Sequence, residues 1–241
     1  MTGGYPEAVE RVSYQRKQTW HLHYIDAIVQ RDIHEVSQIE KGQQMPSLLM
    51  ALANQPAQLT NHSKVGALLN INYGTAQKYT SIFEQLFIIK TLPSWHTNRL
   101  KRLTKTPKLH FLDSGLLASL QGISQAQIKN DRRLLGPLLE TFVYAELMKL
   151  SAWYEGRLHF SHYRDKQKNE VDIVIQNQRG QIVGIENKAA ASVSSTDFKG
   201  LKRLAKAHPK EFVMGIVLYD HDKTIPFGSK MQAVPISALW C

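Results

Sequence analysis

Along the first half of the chain, apolar positions recur at spacings of three and four, which predicts helices. Along the second half they alternate or run on without a break, which predicts strands. Residues 7–40 read as two helical stretches, with Trp20, Tyr24, Ala27 and Ile28 on one buried face. A loop over 42–46 leads to a helix over 47–54, capped by Ser47, and Pro56 follows as a stop. Val65, Leu68 and Leu69 then mark a short helix within 60–69, and Ala76, Tyr79, Phe83 and Leu86 a longer one over 73–86. Asn70-Ile71-Asn72 is the tight turn between them. Strands follow over 88–92 and 108–112, with a basic connection between.

The order short helix, tight turn, longer helix, strand, basic connection, strand is that of a winged helix. Residues 114–133 give a small helical segment, Leu116–Leu120, and a polar stretch over 121–131 that reads as a linker, though a short surface helix would look the same. Beyond it, the stripe from Leu135 to Leu150 predicts a helix over 134–150. Strands over 157–163, 171–175 and 181–188 meander through polar turns, a helix covers 197–207, and the apolar run 211–219 reads as a strand covered on both faces. The expected class is α+β with α/β character: a helical remnant over 1–45, a winged helix over 46–120, and a mixed sheet flanked by helices over 132–241.

Composition changes this picture little. Of 241 residues, 43% are apolar and 21% charged, as in ordinary globular proteins. The one cysteine, Cys241, excludes an internal disulfide or a Cys-rich zinc site and points to a reducing compartment. The longest uncharged apolar run, Phe212–Tyr219, is too short to cross a bilayer, and no basic segment precedes an apolar one at Met1. The expectation is a cytoplasmic protein without a membrane partner. The four tryptophans, Trp20, Trp95, Trp153 and Trp240, read as core.

Charge changes it more. Thirty Lys and Arg against twenty Asp and Glu leave +10, a surplus suited to a polyanion such as nucleic acid. Between Lys90 and His110 stand six cations and no acid. In a winged helix, Asn72, Tyr73, Thr75, Gln77 and Lys78 would face a DNA groove, and Arg99, Lys101, Arg102 and Lys105 would lie along phosphates. Winged helices also serve as protein–protein modules, and a basic hairpin can be a solvated loop.

The second half holds the candidate chemistry. Asp172 alternates with Val171 and Ile173 on one strand, and Glu186 and Lys188 share a face of the next. Thirteen residues with one turn separate Asp172 from Glu186, so a hairpin would gather Asp172, Glu186 and Lys188 on one patch. Two close carboxylates favour a divalent cation, Mg2+ or Mn2+, and a nearby lysine would orient a metal-bound water toward a scissile phosphate. Glu140, on the preceding helix, would assist. The alternative is an ordinary charge pair of Glu186 and Lys188 at a strand end.

Asp-x13-Glu-x-Lys after a helical Glu resembles the signature of the PD-(D/E)xK nuclease superfamily. The whole chain resembles the C-terminal part of a bacterial and archaeal family of AAA-type ATPases, on Gly3-Gly4-Tyr5-Pro6, Lys108-Leu109-His110-Phe111-Leu112-Asp113-Ser114-Gly115-Leu116, Gly136-Pro137-Leu138-Leu139-Glu140, Asn169-Glu170-Val171-Asp172, Ile185-Glu186-Asn187-Lys188 and Ala233-Val234-Pro235-Ile236. The resemblance implies a winged helix followed by an endonuclease-like domain. In that setting Asp172, Glu186 and the Asn187 carbonyl would hold the metal. No segment fits Gly-x4-Gly-Lys-Ser/Thr, so no ATP site is expected in this chain. Two functions follow as expectations: a protein binding duplex or branched DNA on a nuclease-like fold, with Mg-dependent cleavage at that site, or a non-catalytic regulatory half that binds an ATPase or an acidic protein.

Overall fold

The computed structural model describes residues 2–36, 44–98, 102 and 104–240, side chains excepted at 30 and 32–36. Arg99 and Lys101, expected on the basic connection, lie outside the described residues. The fold is mixed α+β and divides into two units, one of residues 1–91 and 109–142, the other of residues 92–108 and 143–241. Among the described residues no helix is long and apolar enough to cross a membrane.

The first unit is mainly helical. It contains α1 (Pro6–Glu10), α2 (Tyr14–Val36), α3 (Met45–Ala53), α4 (His62–Leu68) and α5 (Tyr73–Gln85). Side-chain caps start two of them: Asn61 accepts from the Lys64 N–H, and Asn72 from the Thr75 N–H. The α4–α5 turn is tight because Gly66 has no side chain. A Cβ there would stand 2.7 Å from the Ile71 carbonyl oxygen. Ile25 and Ile28 of α2 share one apolar cluster with Leu48, Leu49 and Phe83, so α2 packs with the helices after it. Three short strands, β1 (Gln58–Leu59), β2 (Ile89–Leu92) and β3 (Lys108–Phe111), form a sheet in the order β1-β3-β2.

Next come α6 (Ser114–Leu120) and α7 (Gln125–Asn130). The latter is the short surface helix that the polar stretch also allowed, started by the reciprocal capping box of Ser124 and Gln127. The helix α8 (Leu135–Ser151) supplies residues to both units.

The second unit is built on a six-stranded sheet of β4 (His159–Arg164), β5 (Glu170–Gln176), β6 (Ile182–Lys188), β7 (Phe212–Tyr219), β8 (Ile225–Pro226) and β9 (Met231–Pro235), in the order β4-β5-β6-β7-β9-β8. The sheet is mixed: β4–β5–β6 and β8–β9 are antiparallel, while β6–β7 and β7–β9 are parallel. The crossover between β6 and β7 carries a helical turn at Ser195–Phe198 and α9 (Lys199–Ala207). Leu201 and Leu204 of α9 are fully buried against the sheet. Gly200 is needed for that approach, since a Cβ there would sit 1.8 Å from the Glu170 carbonyl oxygen. Of the tryptophans expected in the core, Trp95 is buried, whereas Trp153 is 87% exposed and Trp240 54%.

The stretch 93–95 packs on β4 of this unit. The Trp95 N–H donates to the His162 carbonyl (2.6 Å), and the His162 N–H to the Pro93 carbonyl (2.9 Å). The Trp95 ring meets the His208 ring edge-on at 4.5 Å. These contacts pair the backbone of His162 on the outer edge of β4, where its groups would otherwise stand unpaired.

The His162 ring is buried, with Nε2 3.3 Å from the Thr106 carbonyl oxygen. Burial, then the Lys108 charge, pushes its pKa down from 6.5 to about 4. The unfolded chain therefore binds a proton near pH 6.5 that the folded chain refuses until far lower. Stability from this group is complete above pH 6.5 and is lost as the pH falls through that window, by about 3 kcal/mol in all. Urea unfolding between pH 7 and 4.5 should show the loss in the wild type, and His162→Gln should flatten it relative to the wild type.

Candidate functional site

The hairpin β5–β6 pairs Ile173 with Ile185 and Val174 with Gly184. One step further in that register sets Asp172 against Glu186. The Asp172 carboxylate lies along the β6 backbone: Oδ2 accepts from the Asn187 N–H (3.0 Å) and from Asn187 Nδ2 (3.2 Å). Its Oδ1 stands 3.4 Å from Lys108 Nζ, with the lysine side chain 6% exposed and the aspartate 17%. A buried ammonium and carboxylate in such contact neutralise each other, and two further N–H groups occupy the acid.

Glu186 and Lys188, two apart on β6, face the crossover. Lys188 Nζ donates to Asp197 Oδ1. Asp197 also accepts at Oδ2 from the Ser194 N–H (2.7 Å) and Ser194 Oγ (3.0 Å). Burial works to raise the Asp197 pKa, but the bonds from Lys188 and Ser194 outweigh it and hold the carboxyl below its ordinary range. Glu186 Oε1 lies 2.9 Å from the place where a Gly200 Cβ would stand. Asn187, between them, reaches Asp172 instead. The hairpin thus brings Asp172 to the Glu186-Asn187-Lys188 backbone, while Lys108 engages Asp172 and Asp197 of the crossover turn engages Lys188. Glu140 belongs to the first unit, where its Oε1 lies 3.8 Å from His110 Nε2.

A resident Mg2+ or Mn2+ demands oxygen ligands at about 2.1 Å in octahedral array. Asp172 could offer them only by giving up Lys108 and Asn187 donors. No group of three or more His, Cys, Asp or Glu side chains is gathered to hold a metal among the described residues. As arranged, Asp172, Glu186 and the Asn187 carbonyl do not form such a cage.

The helix expected to face DNA presents Asn72, Tyr73, Gln77 and Lys78 to solvent, with Thr75 half-buried. Asn72 Oδ1 is committed to its capping bond, 2.8 Å from the Thr75 N–H. Lys105 is exposed. Arg102 is tied down: Nε donates to the His96 carbonyl (2.5 Å), a terminal nitrogen donates to Gln176 Oε1 (2.9 Å), and the guanidinium lies 5.8 Å over the Trp95 ring.

Two features escaped the sequence reading. Lys108 was one cation in a basic run, and only its strand-initial position hinted at burial. The other is the outer face of α9, where Lys199, Lys202, Arg203 and Lys206 line an open trough of about 480 Å³ with Gln167 and Asn169. The spacing of those cations was readable in the sequence, but their charge was counted only in the net surplus.

These features define a mixed α+β protein of two units, carrying a compensated acid–lysine cluster and a basic helix face. The chain belongs to the family described as "Domain of unknown function (DUF8612)", whose profile matches residues 1–127. A second profile, "Domain of unknown function (DUF4143)", matches residues 135–239, and that domain occurs in C-terminal regions associated with AAA-type ATPases. Among curated proteins the chain is similar to the uncharacterized proteins Mb2031c of Mycobacterium bovis and Rv2008c of Mycobacterium tuberculosis. Each is 26% identical over 237 residues, which is 98% of this chain and 51% of the relative. The chain therefore spans about half the length of the curated relatives it matches. No solved structure matches it.

Asp172→Ala would leave the Lys108 charge buried and the Asn187 donors unpaired, and should cost about 3 kcal/mol in urea unfolding. The double variant Lys108→Met/Asp172→Leu removes both charges and should recover most of that loss.

Proposed function

We propose that this chain is a DNA-binding protein, a winged helix joined to a PD-(D/E)xK-like unit in which the acid–lysine cluster is structural. The observation that carries the reading is the sheet order β1-β3-β2 with β1 between α3 and α4 and β2 after α5. Helix, strand, two helices joined by a tight turn, and two strands around a basic connection is the winged-helix order. It leaves the first turns of α5 exposed, with Tyr73, Gln77 and Lys78 available to a groove. The net charge of +10 supplies the field that draws a polyanion to this surface.

In the second unit, the β5–β6 hairpin with its acid–lysine pattern supports an endonuclease-like fold. The Lys108–Asp172 and Lys188–Asp197 ion pairs favour a scaffold role for it over phosphodiester cleavage. A second reading rests on the comparison: relatives twice as long favour a chain that works beside a further segment, for which an AAA-type ATPase is the expected kind.

Fluorescence anisotropy with duplex and branched oligonucleotides tests the first reading. Binding should weaken linearly in log affinity against log salt, and Lys78→Glu should weaken it about tenfold or more, through one lost phosphate contact and one added repulsion. The same DNAs should stay intact with Mg2+ or Mn2+. Salt-insensitive or absent binding would overturn the DNA reading, and nicking that Glu186→Ala abolishes would restore the catalytic one.

A further inference from the structure

We propose that the outer face of α9 is a track for the sugar–phosphate backbone of a nucleic acid. The inference rests on the DNA-binding reading above and adds to it a site in the second unit, separate from the α5 face.

Nine residues of α9 carry four cations and no acid. Leu201 and Leu204 are buried, and Gly200 lies hard against the Glu170 carbonyl, so the helix is held on the sheet at a fixed rotation. Lys199, Lys202 and Lys206, spaced three and four apart, therefore stand in one exposed row. The row spans about 10 Å, seven residues at 1.5 Å each, or some three nucleotide steps along one strand.

Arg203 serves a different purpose. Its Nε donates to Asp165 Oδ2 (3.1 Å) and a terminal nitrogen to Gln167 Oε1 (3.3 Å), which fixes the wall of the trough. Among the described residues, Lys199, Lys202 and Lys206 form no ion pair. Three ammonium groups in a row, none of them ion-paired, set up a strong field.

The shape of the site selects its occupant. The lining holds no aromatic or aliphatic anchor of the kind that centres a protein interface, and lysine is depleted in such interfaces. A single small anion needs donors that converge, whereas these lysines are strung out along a line. A repeating phosphate backbone meets all three at once, with the Gln167 Nε2 amide beside it. The row begins at Lys199, next to Gly200 and hence to Glu186, so a strand lying on it passes the β6 end that carries Glu186 and Lys188.

The test compares the full chain with Lys199→Gln/Lys202→Gln/Lys206→Gln and with Lys78→Gln/Lys105→Gln. Anisotropy of labelled single-stranded and duplex DNA is read from 50 to 300 mM salt, with inorganic phosphate and poly-glutamate as competitors. The triple variant should lose at least tenfold in affinity at 100 mM salt. Its log–log salt slope should fall by about 2 to 3, the share of three phosphate contacts. Its melting temperature should match the wild type; if it fails to fold, each single variant should lower the slope by about 0.7 to 0.9. Unchanged affinity and slope in the triple variant, with loss in the Lys78/Lys105 pair, would overturn the track and leave the α5 reading standing. No DNA binding by the wild type would overturn both. Competition by poly-glutamate as effective as by DNA of equal charge would assign the row to an acidic protein and overturn it too.

Discussion

The second unit depends on how the chain segment 92–108 is held. It enters beside β4 through the backbone exchange of Trp95 and His162 and leaves at Lys108, whose ammonium meets Asp172. Neither contact is local: each joins residues more than fifty positions apart along the chain. Lys108 gives up hydration to stand there, and only a charged, hydrogen-bonded acceptor makes its burial tolerable. Asp172 is in turn fastened to the Asn187 peptide, so the lysine, the end of the β5–β6 hairpin and the incoming segment form one connected arrangement. The buried, neutral His162 lies in the same neighbourhood, and the Lys108 charge helps keep it neutral.

Much of the fold was legible. The α4–α5 turn could be read because Gly66, Asn61 and Asn72 each act locally, through a missing side chain and two caps. The hairpin β5–β6 could be read because alternation and a Gly-containing turn are also local signals. The strand β9 could not. It is short, and it is completed by parallel pairing with β7, which no neighbouring residue announces. The home of 92–108 was hidden for a related reason. Its cations suggest a solvated loop, while the burial of Ser94 and Trp95 rests on their finding β4. Arg102 illustrates the difference: read as a phosphate ligand, it spends its donors on His96 and Gln176.

The acid–lysine cluster was half legible. Spacing placed Asp172 beside the Glu186-Asn187-Lys188 strand, since register follows from alternation. Spacing could not say which counter-charges the carboxylates would meet. Lys108 lies 64 positions before Asp172, and Asp197 belongs to a turn whose own capping needs fix its orientation. Sequence patterns of this type report the positions of ionisable groups, but the surrounding donors decide whether a charge remains available for an external ion.

Because each unit draws on two stretches of chain, neither can be excised by a single cut. A fragment starting after residue 108 would keep β4 and lose the strip that shields its flank. It would expose hydrogen-bonding groups along that flank and remove the lysine that balances Asp172. Such a fragment invites strand-to-strand association with its own copies, so self-aggregation of a trimmed C-terminal piece would report a missing cover rather than an inherent habit of the intact molecule.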